Sequence, residues 1–340
     1  MSEKPSGHPS IPSRKTGLLL INLGTPEATD FGSMRRYLKE FLSDRRVIET
    51  NRVLWWLILN GIVLNIRPTR SGHAYDKIWN RDKNESPLKT YTRAQADKLA
   101  LALDEPNLIV DWAMRYGHPS VPEKLRALKD QGCDRIALFP LYPQYSAAST
   151  GTALDAAYRE LLKLRWQPSI RTVPPYYDHP AYITAISNLL TQTIRALPWK
   201  PDRVLIAFHG LPKIYHEKGD PYYCQCMKTA RLIREKLNLS PDFAQVVFQS
   251  RFGRAEWLQP YAQQTIKALP GQGVKNLLMI SPGFASDCVE TLEELAIGLK
   301  ETFAEHGGQN FVVVPCLNDS APSIKMLAEL ARTELSGWLS

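Results

Sequence analysis

Residues 204–212 read Val-Leu-Ile-Ala-Phe-His-Gly-Leu-Pro. Five apolar residues in a row, with no polar alternation, suit a strand buried on both faces. Such strands belong to parallel sheets covered by helices. Gly210 and Pro212 then turn the chain, which leaves His209 at the strand's carboxyl end. Working outward, the same kind of run recurs at residues 17–23, 108–113, 135–139, 170–173, 246–249, 277–280 and 311–314. Between them, apolar residues fall at helical spacing over 94–103, 123–129, 154–164, 181–197, 228–237, 257–269 and 290–303. Strand and helix alternating along the whole chain predict an α/β fold with parallel sheets.

Eight strands are enough to close a barrel, but the Pro-rich join from Trp166 to Pro175 divides them. The expectation is two doubly wound domains with a cleft between them. Residues 1–15 read as a disordered tail, 16–165 plus 318–340 as an N-terminal domain, and 166–317 as a C-terminal domain. There is also a faint internal echo, which duplicated halves or chance would explain. Ala137 to Ser146 and Leu278 to Ser286 each run strand, Pro, aromatic, Ser, helix. A last helix over 320–338 starts at a plausible Ser320 N-cap with Pro322 in its first turn, and presents one apolar face.

Bulk properties narrow the function without naming it. Lys plus Arg number 42 against 34 Asp plus Glu, a net charge of +8. That suits an anionic ligand, an anionic membrane surface or nucleic acid without choosing between them, although the basic residues form no run of nucleic-acid type. Five cysteines without regular spacing argue against a secreted disulfide framework. The polar first 15 residues lack the apolar core of a signal peptide. Residues 53–66 are apolar but too short to span a bilayer. They read either as a buried helix or as a lip over an apolar ligand or a membrane surface.

No Gly-x-Gly-x-x-Gly follows the first strand, and there is no Walker loop or Gly-x-Ser-x-Gly elbow. An α/β fold therefore does not make this a nucleotide enzyme or a hydrolase. Ligands in doubly wound sheets bind beyond the strands' carboxyl ends, where His209 lies. A second candidate, Ser281 to Glu294, also follows a strand end and carries Glu290 and Glu294 four residues apart, on one side of a helix. Each has an ordinary reading: a histidine that packs in a turn, and acidic residues favoured in a helix's first turn. Their coincidence at two strand ends favours a metal-capable cleft, since imidazole plus carboxylate suits a first-row divalent ion. Cys224-Gln-Cys226 alone is a poor cluster signal, because four thiolates are usual.

Seven motifs, in order, carry a resemblance. They are Leu20-Ile-Asn-Leu-Gly-Thr-Pro-Glu27, Arg115-Tyr-Gly117, Pro143-Gln-Tyr-Ser146, Phe208-His-Gly-Leu-Pro212, Gly219-Asp-Pro-Tyr222, Phe248-Gln-Ser-Arg-Phe-Gly253, and Pro282 to Glu294. Together they resemble ferrochelatase, the enzyme family that inserts ferrous iron into protoporphyrin IX to make protohaem. The resemblance runs from about residue 17 to 335. It implies two Rossmann-like domains of the class II chelatase type flanking a porphyrin cleft. His209 and Glu290 would contact Fe(II), with His209 and Glu294 also serving the removal of pyrrole protons. Leu23, Arg67, Ser86, Arg115, Tyr116 and Phe284 would line the porphyrin site, with Arg67 and Ser86 near the propionates. The family is thought to bend the macrocycle as the metal enters. A cytoplasmic protein with peripheral membrane contact through residues 53–66 is the implied setting.

Departures are also visible. Cys288 stands where many relatives have His, and Gly298 where some extend the acidic line. Ala147 stands where cluster-bearing relatives often have Cys, so no iron–sulfur cluster is expected. Coproporphyrin as substrate, another divalent metal, or a non-catalytic tetrapyrrole or metal carrier are the alternatives the sequence leaves open.

Overall fold

A computed structural model describes Gly7 and residues 15–339; the tail expected over 1–15 otherwise lies outside the described residues. In chain order the elements are β1 (Lys15–Gly24), α1 (Phe31–Ser43), α2 (Arg52–Ile58), α3 (Leu64–Ile78), α4 (Pro87–Leu103), β2 (Leu108–Tyr116), α5 (Val121–Asp130), β3 (Cys133–Pro140), α6 (Thr152–Leu161), β4 (Ser169–Thr172) and α7 (Pro180–Ala196). They continue with β5 (Arg203–His209), α8 (Lys213–Glu217), α9 (Tyr222–Leu237), β6 (Ala244–Gln249), α10 (Ala262–Ala268), β7 (Asn276–Ile280), α11 (Lys300–Glu305), β8 (Asn310–Val313) and α12 (Ala321–Leu335). Three π-helical segments interrupt the helices: Leu59–Val63, Ala147–Gly151 and Glu290–Leu299.

All eight strands stand where the apolar runs place them. They form two four-stranded sheets of identical topology, β2-β1-β3-β4 and β6-β5-β7-β8. Every named pairing is parallel. The faint echo falls on equivalent strands: β3 and β7 hold the same place in each sheet, and each leads to a π segment.

Alternation along a strand sends neighbours to different cores. On β1, Leu18 and Leu20 face one cluster while Leu19 and Ile21 face another. On β5, Val204, Ile206 and Phe208 face the same cluster as Leu18, whereas Leu205 and Ala207 face a third. The two sheets thus share a central core, closed by α4, α7, α9 and α12. The halves are not independently cored. The division at 165/166 also needs correction, because β4 pairs with β3 and so belongs to the first sheet. The short strand lies within the proline-marked join from Trp166 to Pro175, and proline content cannot report strand partners. Helix α12 packs on α4, α7 and β3.

Two helix expectations change. The span 257–269 is helical only from Ala262, because Pro260 cannot donate a helical hydrogen bond and disfavours helix in the residue before it. Residues 290–299 form a π rather than an α-helix. Such runs are normally one turn long and often lie at functional sites.

The apolar stretch 53–66 has one buried side and one exposed side. Trp55 is buried and its indole N–H donates to Leu42 O at 2.7 Å, with Leu59 and Leu64 in the same cluster. On the other side Val53, Leu54, Trp56, Leu57, Ile62 and Ile66 are exposed, Trp56 at 63%. One face anchors the segment, and the other is a water-facing apolar lip.

Candidate active site

Parallel sheets of this order reverse direction between their two central strands, and ligand crevices open there. In the second sheet those strands are β5 and β7. His209 ends β5 and pairs with Gln249, the last residue of β6. Gly210 follows, and its N–H donates to Gln249 O at 2.8 Å. A Cβ on Gly210 would lie 2.6 Å from that oxygen, so only glycine permits this approach. His209 Nδ1 lies 2.6 Å from Gly210 O. A carbonyl can only accept, so Nδ1 carries the proton and neutral His209 keeps Nε2 as its basic nitrogen.

The chain then places a carboxylate cradle beside His209. Ser250 adopts a left-handed conformation, φ 62°. In that conformation its N–H donates to Glu294 Oε1 at 2.7 Å and its hydroxyl donates to Glu294 Oε2. Gln249 Nε2 donates to Glu294 Oε2 at 3.3 Å and to Glu290 O at 3.1 Å. A non-glycine residue at positive φ is held there only by its surroundings, and such strain gathers at working sites. Four residues fall just short of one i→i+5 turn, so Glu290 and Glu294 still share a side of the π segment. Glu293 points elsewhere and pairs with Lys77 of α3 at 2.9 Å.

Burial pushes the Glu294 carboxyl above the ordinary carboxylate range, and the Ser250 bonds and His209 counter this only in part; Glu290 adds to the rise. A raised carboxylate pKa makes a better proton acceptor near neutrality. It also sets a stability prediction. Unfolded Glu294 loses its proton near the usual value of about 4.3. The folded group loses it at higher pH, so folding stability declines across that window and stays lowered above it. Glu294→Gln removes the titration. Its melting temperature should exceed the parent's at pH 8 and match it at pH 4. A melting curve at each pH checks this; equal melting temperatures at both would contradict it.

Above this cradle, Tyr37 and Tyr75 are buried and stand edge to face, with centroids 6.4 Å apart. Burial, followed for Tyr37 by the nearby Glu290 charge, raises both phenols. Burial, followed by the nearby Glu290 charge, raises the buried Cys288 thiol well above the usual thiol range. Leu23 and Val289 pack against the cluster containing Tyr37, Tyr75 and Tyr116. Phe284 is half-buried just past β7, with its N–H on Ser281 O.

The remaining sequence candidates divide sharply. Arg115 is committed inside the protein: Nη2 binds Asp44, and Nε binds Thr152 O at 2.9 Å and Thr152 Oγ1 at 2.7 Å. Tyr116 is fully buried and its hydroxyl donates to Asp44 at 3.0 Å. Ser86 is buried as the N-cap of α4, accepting from Lys89 N at 3.3 Å. Arg67 is different. It lies half-buried on α3, feels the Glu290 charge, and makes no hydrogen bond or ion pair among the described residues. Gln249, Ser250, Tyr37, Tyr75 and Asp44 were not singled out by sequence reasoning. For Gln249 and Ser250 a signal existed, since they sit at a strand's carboxyl end within a quoted motif. Among the described residues no group of three or more His, Cys, Asp or Glu is arranged to hold a metal ion. His209 and Glu290 are the two candidate donors.

Comparison with known proteins decides the family. The family model named Ferrochelatase matches residues 15–335. A protein named ferrochelatase from Rhizobium meliloti (strain 1021) is 56% identical over 333 residues, covering 98% of both chains. Another from Brucella ovis is 54% identical over 333 residues, covering 98% of this chain and 95% of its own. This chain belongs to the ferrochelatase family. Ferrochelatases are lyases of haem biosynthesis that insert ferrous iron into a porphyrin, and this chain is such an enzyme. Among solved structures, SirB from Bacillus subtilis with Fe3+ superposes with a TM-score of 0.57 at 11% identity, covering 95% of this chain and 97% of its own. That likeness shows the two-sheet fold is shared.

Proposed function

We propose that the cleft takes protoporphyrin IX and Fe(II) and releases protohaem, with His209 as the base and Glu290 as the iron-receiving carboxylate. The observation that carries this is the His209 Nδ1 contact with Gly210 O, which leaves Nε2 open, beside the buried Glu294 carboxyl with its raised pKa. The chemistry balances simply. Two pyrrole N–H protons leave, Fe(II) sheds water, and four nitrogens bind it, so a dianionic macrocycle meets a dication. His209 Nε2 takes a pyrrole proton, and Glu294, in its Ser250–Gln249 cradle, accepts it onward. Glu290 offers the metal a hard oxygen and His209 an imidazole, a set suited to Fe(II). A two-donor site also suits cargo that must leave quickly.

Arg67 meets a porphyrin carboxylate at the cleft mouth, because its guanidinium has no hydrogen-bond or ion-pair partner among the described residues whereas Arg115 is tied to Asp44 and Thr152. Arg115, Tyr116 and Ser86 then support the wall without touching the carboxylates, while Leu23 and Phe284 offer apolar contact to the ring. No resident iron–sulfur cluster belongs to this reading, since four thiolates are usual and only Cys224 and Cys226 stand together in the sequence. Turnover of protoporphyrin IX and coproporphyrin III with anaerobic Fe(II) tests the substrate. Protoporphyrin IX should give the higher kcat/KM, and the reverse order would reassign it.

The setting is cytoplasmic, with the lip resting on the inner membrane face. No helix among the described residues is long and apolar enough to cross a membrane. The exposed lip carries Trp56 flanked by aliphatic residues, with Arg52 and Arg70 nearby, which suits an anionic interface. In flotation with anionic vesicles the protein should rise with the lipid, and Trp56→Glu combined with Ile66→Glu should stay at the bottom. Equal distribution of the two would leave the lip as a substrate wall only.

A further inference from the structure

We propose that Phe252 is a positioning residue that holds the Arg67 guanidinium across the cleft mouth, pre-organised for a porphyrin carboxylate. The Arg67 guanidinium carbon lies 5.1 Å from the centre of the Phe252 ring. This contact joins the two halves: Arg67 belongs to α3 beside the lip, and Phe252 lies just past β6. Phe252 is two residues beyond Ser250, which holds Glu294. The cradle and the bridge are therefore consecutive features of one short segment.

Three observations point to a working contact. Phe252 is 55% exposed and joins none of the four core clusters, so packing does not account for a large aromatic there. Arg67 has no hydrogen-bond or ion-pair partner among the described residues, although it is half-buried. Other arginines near the first sheet, Arg93 and Arg115, also lie over rings but have carboxylate partners as well, Glu85 and Asp44. At Arg67 the ring is the partner.

The geometry explains the arrangement. Stacking engages the face of a guanidinium and leaves its N–H edge open, and that edge matches a carboxylate in bidentate fashion. A long arginine otherwise loses rotamer freedom when it captures an anion. The Phe252 ring removes part of that loss beforehand and keeps the cation at the mouth instead of against Glu290, where it would compete with the metal.

The inference rests on the reading of Arg67 as the carboxylate partner, and a double-mutant cycle separates the two. Phe252→Ala should raise the KM for protoporphyrin IX about 5-fold, the loss of one partly exposed cation–π contact, with kcat within about 2-fold. Phe252→Trp should restore the parent KM. Arg67→Ala should raise KM by about 10-fold or more, through loss of charge-assisted hydrogen bonds. On the Arg67→Ala background, Phe252→Ala should add nothing further. If Arg67→Ala raises KM and Phe252→Ala does not, or if Phe252→Ala has the same effect on both backgrounds, the positioning role is overturned and the Arg67 reading stands. If Arg67→Ala itself leaves KM unchanged, both fall.

Discussion

His209→Ala should slow iron insertion by about 10³-fold while porphyrin still binds, since a positioned general base typically contributes 10²–10⁴-fold. The physical reason lies in two atoms. Nδ1 is occupied by Gly210 O at 2.6 Å, so Nε2 is the nitrogen available to the pyrrole N–H. Alanine leaves the strand end intact, because the Gly210 N–H bond to Gln249 O involves only backbone. Porphyrin affinity, read by quenching of its fluorescence, should therefore change little. The expected signature is a collapse of kcat with KM for porphyrin retained, which marks an interaction made only in the transition state. A variant inserting iron at the parent rate would remove His209 from the mechanism.

Glu290→Gln is the second large effect. The amide keeps the shape but not the charge that draws a dication. A unit charge pair near 4 Å contributes about 4 kcal/mol at the effective dielectric of such sites. The kcat/KM for Fe(II) should accordingly fall on the order of 10²- to 10³-fold. The KM for iron, rather than that for porphyrin, should carry much of the change. Glu294→Gln differs in kind: it impairs proton transfer yet relieves a buried charge, so activity and stability should move in opposite directions. An unchanged iron dependence in Glu290→Gln would place the metal elsewhere.

The strands were legible because both faces of each sheet are covered. Leu18 to Ile21 and Val204 to Phe208 are buried on alternate sides in different clusters, so no polar position breaks the run. That continuity also located the ends of β5 and β7, and with them His209 and Glu290. What stayed hidden depends on tertiary partners. Nothing in residues 290–299 distinguishes an i→i+5 from an i→i+4 helix, since both place apolar residues on the covered side. The strand read over 170–173 stands at Ser169–Thr172, but its partner β3 was not written in its composition. Trp55 and Trp56 are adjacent and chemically identical, yet one is buried and the other bare. Only the rotation of α2 against α1 separates them. Among the candidate site residues, the sequence pointed to reactive types and not to the residues that hydrogen-bond them. Ser250 matters through a left-handed backbone and Gln249 through its amide, and neither residue type announces chemistry by itself.

The same distinction explains the four candidates Arg67, Ser86, Arg115 and Tyr116. Sequence could place Arg67, Ser86, Arg115 and Tyr116 near the cleft by resemblance, but not say which group remained free. Asp44 decides it. Its carboxylate gathers Arg115, Tyr116 and Thr152, and these bonds hold its own pKa below the usual carboxylate range despite the cost of burial. Arg67 has no such hydrogen-bond or ion-pair partner among the described residues, which is why the proposal gives it to the substrate carboxylate.

The most direct test is iron insertion itself, measured without oxygen. Purified protein, Fe(II) and protoporphyrin IX are mixed, and the free-porphyrin bands and fluorescence are followed against the appearance of haem. The protein should convert many equivalents of porphyrin, with the His209→Ala and Glu290→Gln variants reduced to near the protein-free rate. Conversion by the parent no faster than the protein-free mixture, or undiminished in both variants, would contradict the site described here.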